Sequence, residues 1–388
     1  MEKESPEVSE FKHARQHDSR RPAPLGRCVG DVDEFVSQVW GQRPARFEGQ
    51  GPFDDLLSIR SIEEWLQLTA RRPSFRLVRD GATISPTEYT TTIRMGGANV
   101  SDVADISSIK ALLETGATLV LQGLERTHAP LQRFTAALRA EISHPVQANA
   151  YLSPPSTRGL KEHSDDHDVL ILQVNGTKRW DVDGLGVLDI NAGDVVYIPR
   201  ATQHYATTNE SLSLHITIGI SAVTVRDVIR RSLNRPNSSL DRPLPIGYGA
   251  SGDALARIVA DGLVSASRQL AAVDPAMVAD AERQRVSGPH PRALLTAYFA
   301  SFAIDDATTI QLTTTTTPRV LYEDATITLH LSDRTIRIPA AARSAIEKIL
   351  LGDPVTVAEL PGLNHSSRTV IARRLLREGV IDLSHEST

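Results

Sequence analysis

Between Val169 and Val182 the chain reads VLILQVNGTKRWDV, two apolar runs with Asn175-Gly176 between them. Asn-Gly in that setting is the strongest short-range signal for a two-residue hairpin turn, and a turn of fixed length decides which residues stand opposite one another. The reading places Gln173 opposite Lys178, Ile171 opposite Trp180 and Val169 opposite Val182, and paired residues share a face. With no bulge, the odd-numbered residues back to Asp165 and His163 join that face. Lys178, which by residue type alone reads as a solvated charge, is thereby expected inside, in one cavity with His163 and Asp165.

His163 and Asp165 lie two positions apart, which in an extended strand puts an imidazole and a carboxylate on the same side. Among twelve histidines a single His-x-Asp arises readily by accident, so a third ligand is needed. His204, soon after the predicted strand Asp194 to Ile198, is the choice. In the strand Leu212 to Ile220, Leu212, Leu214, Ile216 and Ile218 alternate with Ser213, His215, Thr217 and Gly219, and the polar face is expected to look inward. His215 is the alternative third ligand, but it reads better as a hydrogen-bonded interior histidine. Thr217 is a candidate hydrogen-bond partner for a cosubstrate, beside its plain reading as a strand-forming β-branched residue. Two histidines and one carboxylate leave positions open on an ion, the arrangement of non-haem Fe(II) oxygenases. Those positions suit a 2-oxo acid and dioxygen. The distal carboxylate of the acid would sit in a dry barrel, where a charge needs a partner, and Lys178 supplies it.

Asn149-x-Tyr151-x-x-Pro154-Pro155, His163-x-Asp165-Asp166, Leu172-Gln173, Gly176-x-Lys178-x-Trp180, Gly193-Asp194, Ile198-Pro199-Arg200 and Ser213-Leu214-His215 closely resemble the cupin-like JmjC oxygenases, in particular the ribosomal-oxygenase branch. The resemblance implies that His163, Asp165 and His204 hold Fe(II), that Lys178 pairs the carboxylate of 2-oxoglutarate, and that Asn149 is an amide lining the cosubstrate pocket. It implies hydroxylation of a C–H bond with O2 while the oxo acid becomes succinate. The segment from Trp180 to Leu188 is shorter than is usual in that branch, a departure that bears on the substrate rim.

The chain of 388 residues is long enough for two or three domains, and 40% hydrophobic content suffices for ordinary cores. A single cysteine, Cys28, excludes an intrachain disulfide framework and fits a reducing compartment. No apolar signal core and no run long enough to span a bilayer is read, so the expectation is a cytoplasmic protein with no membrane role. A net charge of -5 gives no global attraction to nucleic acid.

Residues 1–27 are polar and proline-bearing and read as a disordered tail, in which His13 and His17 read as solvated. Residues 28–222 read as the catalytic domain. Asp31 or Asp33 caps a short helix carrying Phe35, Val36, Val39 and Trp40, and Ser61 is expected to cap the next, with Glu64 completing a capping box. Strands near Phe75 to Val78 and Ala117 to Leu121 bracket a helix ending at Leu113, and a helix from Pro130 to Ile142 follows. Later turn signals about every ten residues say sandwich or jelly roll. Residues 223–305 read as helices with apolar stripes, expected to form a homodimer as the resemblance implies. Residues 306–388 read as a winged helix after a β-rich connector at Thr313 to Thr317, with strands joined at Ser332-Asp333. Ser366 or Ser367 is expected to begin the last helix, whose inner side is Val370, Ile371, Leu375 and Leu376 and whose end is Gly379. The fold expectation is therefore α+β: a double-stranded β-helix core with flanking helices, a helical dimerisation region and a C-terminal winged helix.

The functional expectation is an Fe(II)- and 2-oxoglutarate-dependent hydroxylase acting on a protein or peptide. A tailoring hydroxylase of peptide natural products is the runner-up, and demethylation stays open. A cupin sensor joined to a winged helix, acting as a transcriptional regulator, is the alternative from another class. From Arg319 to Thr388 nine basic residues meet nine acidic ones, so nucleic acid is not the expected partner. A zinc hydrolase lacks its His-Glu-x-x-His helix.

Overall fold

The computed structural model describes residues 23–68, 70–157, 160–208, 210–233, 239–286, 295–313, 318–331 and 334–384. The chain splits into two compact units, Met1–Val223 and Thr224–Thr388. Most of the expected tail, with His13 and His17, lies outside the described residues, as do Thr314 to Thr317 of the connector and the Ser332-Asp333 turn.

The expected tail ends sooner than residue 27. Helix α1 (Pro24–Val29) starts on a proline suited to a first helical position, buries Leu25 and Cys28, and has the Leu25 N–H donating to Glu141 at 2.9 Å. Helix α2 (Val32–Gln38) is capped by Asp31, whose side chain accepts from the Glu34 N–H, and β1 (Ala45–Glu48) follows. Helix α3 (Ile59–Leu68) begins two residues before the expected cap: Ser58, not Ser61, caps it. The two serines satisfy each other's N–H groups reciprocally at 3.1 and 2.8 Å, so the third-position role expected of Glu64 falls to Ser61.

Strands β2 (Phe75–Arg79) and β3 (Ala82–Thr83) precede an exposed two-stranded ribbon, β4 (Thr90–Met95) and β5 (Ala98–Ala104). Helix α4 (Ile106–Glu114), β6 (Thr118–Leu121), α5 (Leu124–Thr127) and α6 (Ala129–Ile142) lead into β7 (Val146–Ser153). Six more strands complete the unit: β8 (Asp168–Asn175), β9 (Thr177–Val182), β10 (Gly186–Asn191), β11 (Asp194–Ile198), β12 (His204–Thr208) and β13 (Ser213–Ile220). They form an antiparallel eight-stranded sheet, β1-β11-β8-β13-β7-β6-β2-β3, and a three-stranded sheet, β10-β9-β12. Leu214, Ile216, Ile218 and Ile220 on one face of β13 belong to a core shared with Ile62, Trp65, Leu131 and Leu138 of the helices. The opposite faces enclose a smaller cluster, in which Val169, Ile171, Val196 and Ile198 of the large sheet meet Trp180, Val182 and Ile190 of the small one.

The expected Asn175-Gly176 hairpin is not formed. Strand β8 pairs with β11 and β13, and β9 pairs with β10 and β12, so the turn carries the chain from one sheet to the other. Both edges of β8 are already occupied, which leaves no ladder for β9 to join. Gly176 has φ +67°, and a Cβ there would lie 1.8 Å from the carbonyl oxygen of Leu212. Glycine is therefore required both by backbone conformation and by close passage under the neighbouring strand. The inward parity of Lys178 nevertheless holds, because facing sheets turn the same alternating residues toward each other as paired strands would.

In the second unit, helices α7 (Val225–Leu233), α8 (Gly252–Ala271), α9 (Pro275–Val286) and α10 (Leu295–Ala300) leave much apolar surface uncovered, including Leu263, Met277 and Phe299. Strands β14 (Thr309–Leu312), β15 (Arg319–Tyr322), β16 (Thr326–His330) and β17 (Thr335–Pro339) precede α11 (Arg343–Leu350), β18 (Val355–Thr356), α12 (His365–Arg377) and β19 (Ile381–Leu383). Two antiparallel sheets result, β18-β14-β19 and β15-β16-β17. Their core holds Ile310, Leu329, Ile346, Leu375 and Leu376. Asn364 caps α12 by accepting from the Ser367 N–H, in place of the expected serines, and Val370 is exposed where an inner position was expected; Ala372 is buried instead. Gly379 follows the helix with φ +69°. Among the described residues no helix is long and apolar enough to cross a membrane.

Candidate functional site

The space between the two sheets of the first unit is a cavity of about 180 Å³. Registered rows of inward-facing residues supply its wall, with Arg76, Tyr151, His215, Ile171, Thr217 and Asn149 lining it. Across the large sheet, Gln173, His215, Tyr151, Val120 and Arg76 stand side by side on β8, β13, β7, β6 and β2, and Ile171, Thr217 and Asn149 form the next row. From the small sheet, Lys178, Trp180 and His204 contribute.

His163 and His204 come together through the main chain. The His163 N–H donates to the His204 carbonyl at 3.1 Å and the His204 N–H returns the bond at 2.9 Å, while the Ala201 N–H donates to the Asp165 carbonyl at 2.8 Å. These bonds fasten the segment before β8 to the segment before β12. The side chains converge: His163 Nε2 is 3.9 Å from Asp165 Oδ1 and His204 Nε2 is 3.7 Å from Asp165 Oδ2. Among the described residues these three form a group whose ligand atoms all lie within 4.8 Å of one another.

The two imidazoles are oriented alike. His163 Nδ1 contacts the Lys161 carbonyl at 2.9 Å and His204 Nδ1 contacts the Thr202 carbonyl at 3.0 Å. A carbonyl only accepts, so each Nδ1 carries the proton and each Nε2 presents its lone pair to the common centre, the arrangement that outer partners impose on metal-bound histidines. Burial holds the His204 pKa below the ordinary histidine value, which keeps that lone pair available. Two neutral nitrogens and one carboxylate suit a first-row divalent cation and leave half of an octahedron for other ligands.

Lys178 is 3% exposed. Its ammonium donates to Ser153 Oγ at 3.2 Å, and Ser153 Oγ accepts from Thr118 at 3.0 Å. One hydroxyl cannot satisfy three N–H groups, and burial pushes the Lys178 pKa down to about 7. An anionic ligand with several acceptor atoms is what this ammonium lacks.

His215 stacks on Tyr151 with ring centroids 4.9 Å apart and meets Trp180 edge-on at 5.5 Å. Burial, then the nearby Lys178, holds its pKa well below the ordinary histidine value. It lines the cavity without belonging to the three-residue group, and among the described residues its buried Nδ1 has no partner. Asn149 accepts from the Gly123 N–H at 3.0 Å through Oδ1, which leaves its amide N–H groups for the cavity; Thr217 lines the same wall. Sequence reasoning missed Ser153, Thr118, Gln122 and Arg76. Only the alternation of Phe75, Arg76 and Leu77 hinted that Arg76 faces away from the apolar side of β2.

The model of the JmjC domain matches residues 125–189 and 187–228. The bifunctional lysine-specific demethylase and histidyl-hydroxylase NO66 of Drosophila yakuba is 29% identical over 220 residues, which are 49% of this chain and 30% of that protein. The Branchiostoma floridae protein of the same name is 38% identical over 89 residues, 22% of this chain and 15% of that one. The chain spans between 12% and 37% of the length of the curated relatives it matches. The crystal structure of Escherichia coli ribosomal oxygenase YcfD superposes with a TM-score of 0.48 at 18% identity, covering 91% of this chain and 98% of that one.

Proposed function

We propose that this chain is a member of the JmjC family, whose domain model matches residues 125–189 and 187–228, and that it is an Fe(II)- and 2-oxoglutarate-dependent oxygenase that hydroxylates a C–H bond in a protein or peptide side chain. The observation that carries the reading is the pairing of two features in one cavity: the His163, Asp165 and His204 group and the buried, under-satisfied ammonium of Lys178. A structural zinc site has no use for that lysine, whereas a dicarboxylate with one end at an ion has a direct one.

His163, Asp165 and His204 would hold Fe(II), and iron with O2 and 2-oxoglutarate supplies the oxidising power for C–H hydroxylation as the oxo acid becomes succinate and CO2. The residues of the chain orient and shield. Lys178 neutralises the distal carboxylate, and Ser153, held by Thr118, fixes the ammonium. Asn149 and Thr217 offer hydrogen bonds along the cosubstrate wall. Val169, Ile171 and Trp180 keep the interior apolar, which strengthens every charged contact made there.

The six strands that carry these residues, β6, β7, β8, β9, β12 and β13, favour a jelly-roll, cupin-like core for residues 28–222. The exposed apolar helices of residues 223–305 favour a homodimer interface, and residues 306–388 favour a winged helix that positions substrate or buttresses the dimer. DNA recognition is disfavoured by residue use as well as by charge. Arg373 donates to the carbonyls of Phe302 and Ile304, and Arg377 donates to Ser301 while lying over the Tyr298 and Phe302 rings. The cytoplasm, with its 2-oxoglutarate supply and reducing conditions, is the compartment this reading favours.

The purified chain is expected to bind one Fe(II) and to convert 2-oxoglutarate to succinate. His163→Ala, Asp165→Ala and His204→Ala should each lose both properties, and His215→Ala should keep the metal. Iron binding that survives the first three and disappears with His215→Ala would overturn the ligand assignment. Intact mass of candidate proteins after incubation separates the chemistries: a gain of one oxygen marks hydroxylation, a loss of one methylene marks demethylation.

A further inference from the structure

Two cationic side chains, Lys178 and Arg76, line the cavity, and the cosubstrate answers only one of them. Arg76 projects from the inward face of β2, in the same cross-strand row as Tyr151 and two strands away from it, about 10 Å along the sheet at ordinary strand spacing. It is half-buried and lines the cavity. Among the described residues its guanidinium makes no hydrogen bond and no ion pair, whereas Arg72 pairs with Asp102 and Arg79 donates to Thr115 nearby. A planar guanidinium presents five donors in a fork that matches a carboxylate, so its lack of an acceptor is informative.

Charge closure points the same way. A divalent ion brings two positive charges, Lys178 and Arg76 bring one each, Asp165 removes one, and a bound 2-oxo dicarboxylate removes two. Among the described residues no other carboxylate lines the cavity. One positive charge is left over, and it belongs to the group that stands apart from the ion and from Lys178.

We infer that Arg76 is a specificity-determining residue that receives a carboxylate of the substrate, so that the preferred substrate carries an acidic side chain or a free C-terminus close to the oxidised residue. The inference rests on the oxygenase reading and deepens it by naming the charge class of the substrate. The Lys178 ammonium is held at Ser153 of β7 whereas Arg76 stands on β2 with no partner of its own among the described residues, so Arg76 is left to select substrate.

The test uses the full chain loaded with Fe(II) and 2-oxoglutarate without oxygen, so that bound substrate stays unreacted. Random peptides with amidated ends are captured and sequenced, and a second library with free C-termini is treated alike. Wild type should enrich Asp and Glu over Lys and Arg at one position by about fivefold, the worth of a partly exposed ion pair, and R76E should reverse the sign. Enrichment confined to the free-acid library, and lost in R76E, identifies a C-terminal carboxylate as the source. Should R76E fail to fold, R76M, of similar length and without charge, should abolish the preference while melting like wild type. The proposal is overturned by an acidic preference that persists in these variants, by the absence of charge selection in wild type, or by a raised KM for 2-oxoglutarate in R76M turnover without peptide. Wild type that makes no succinate at all would instead strike the oxygenase reading itself.

Discussion

Lys178 is the residue whose titration should be visible in function. Burial places its pKa near 7, against an ordinary value of 10.5. A lysine with a depressed folded-state pKa binds fewer protons folded than unfolded between those two values, so this group favours folding more as pH rises from about 7 toward 10.5. Cosubstrate binding runs the other way. The carboxylate needs the ammonium form, so affinity for 2-oxoglutarate should fall above pH 7, with a limit of about tenfold per pH unit. Lys178→Ala should abolish that dependence, leave iron binding intact and weaken cosubstrate binding by about 3 kcal/mol or more, since a buried carboxylate then lacks its partner. Calorimetric titration of 2-oxoglutarate from pH 6 to 9 decides the matter, and an unchanged, pH-dependent affinity in the variant would refute it. Much of this site is legible in the sequence because His163, Asp165 and Lys178 sit in alternating runs whose parity survives almost any pairing. Arg76, Thr118 and Ser153 are not, because each stands in a strand of its own, and only the registered sheet sets them against the rest.

At the scale of elements, the Asn175-Gly176 turn shows what a local signal contains. The sequence there specifies a reversal with a left-handed glycine, and the structure has one, with φ +67° at Gly176. It does not specify whether the arms pair or face each other across a core, because both outcomes bury the same alternate residues. The choice is made by β11 and β13, which occupy both edges of β8 from far along the chain. Gly176→Ala tests the crossing directly. The new methyl would meet the Leu212 carbonyl within 1.8 Å on an already unfavourable φ, and overpacking of this kind costs about 1–3 kcal/mol. A clear drop in melting temperature is expected, together with loss of cosubstrate affinity because Lys178 lies two residues on. A variant that melts like wild type would show that the turn is looser than described. Helix starts differ from the sequence expectation for a related reason: serine, threonine, asparagine and aspartate all cap, so Ser58 and Ser61, or Asn364 and Ser366, are separated only by the packing of the helix they begin.

Across the whole molecule, the two units differ in how well they cover themselves. The core of the first takes in its helices and both faces of its large sheet, whereas no residue of α7 or α8 is fully buried, and Leu263 and Phe299 are 67% and 65% exposed. Exposed apolar side chains on successive helices mark an association surface. Light scattering at micromolar concentration should give twice the mass of the chain, and Leu263→Glu with Phe299→Glu should return it to the monomer mass without loss of the first unit's iron binding. A wild-type monomer under those conditions would remove the dimer from the proposal.

The main-chain bonds between His163 and His204 set the spacing of the two imidazoles. A spacing fixed by the main chain does not discriminate by reshaping itself around its guest. Divalent ions of similar size then compete by intrinsic affinity, in which Fe(II) ranks below cobalt, nickel, copper and zinc. Iron would reach this site through cellular supply rather than through preference, and a rise in free zinc or copper should silence the protein while leaving its fold untouched.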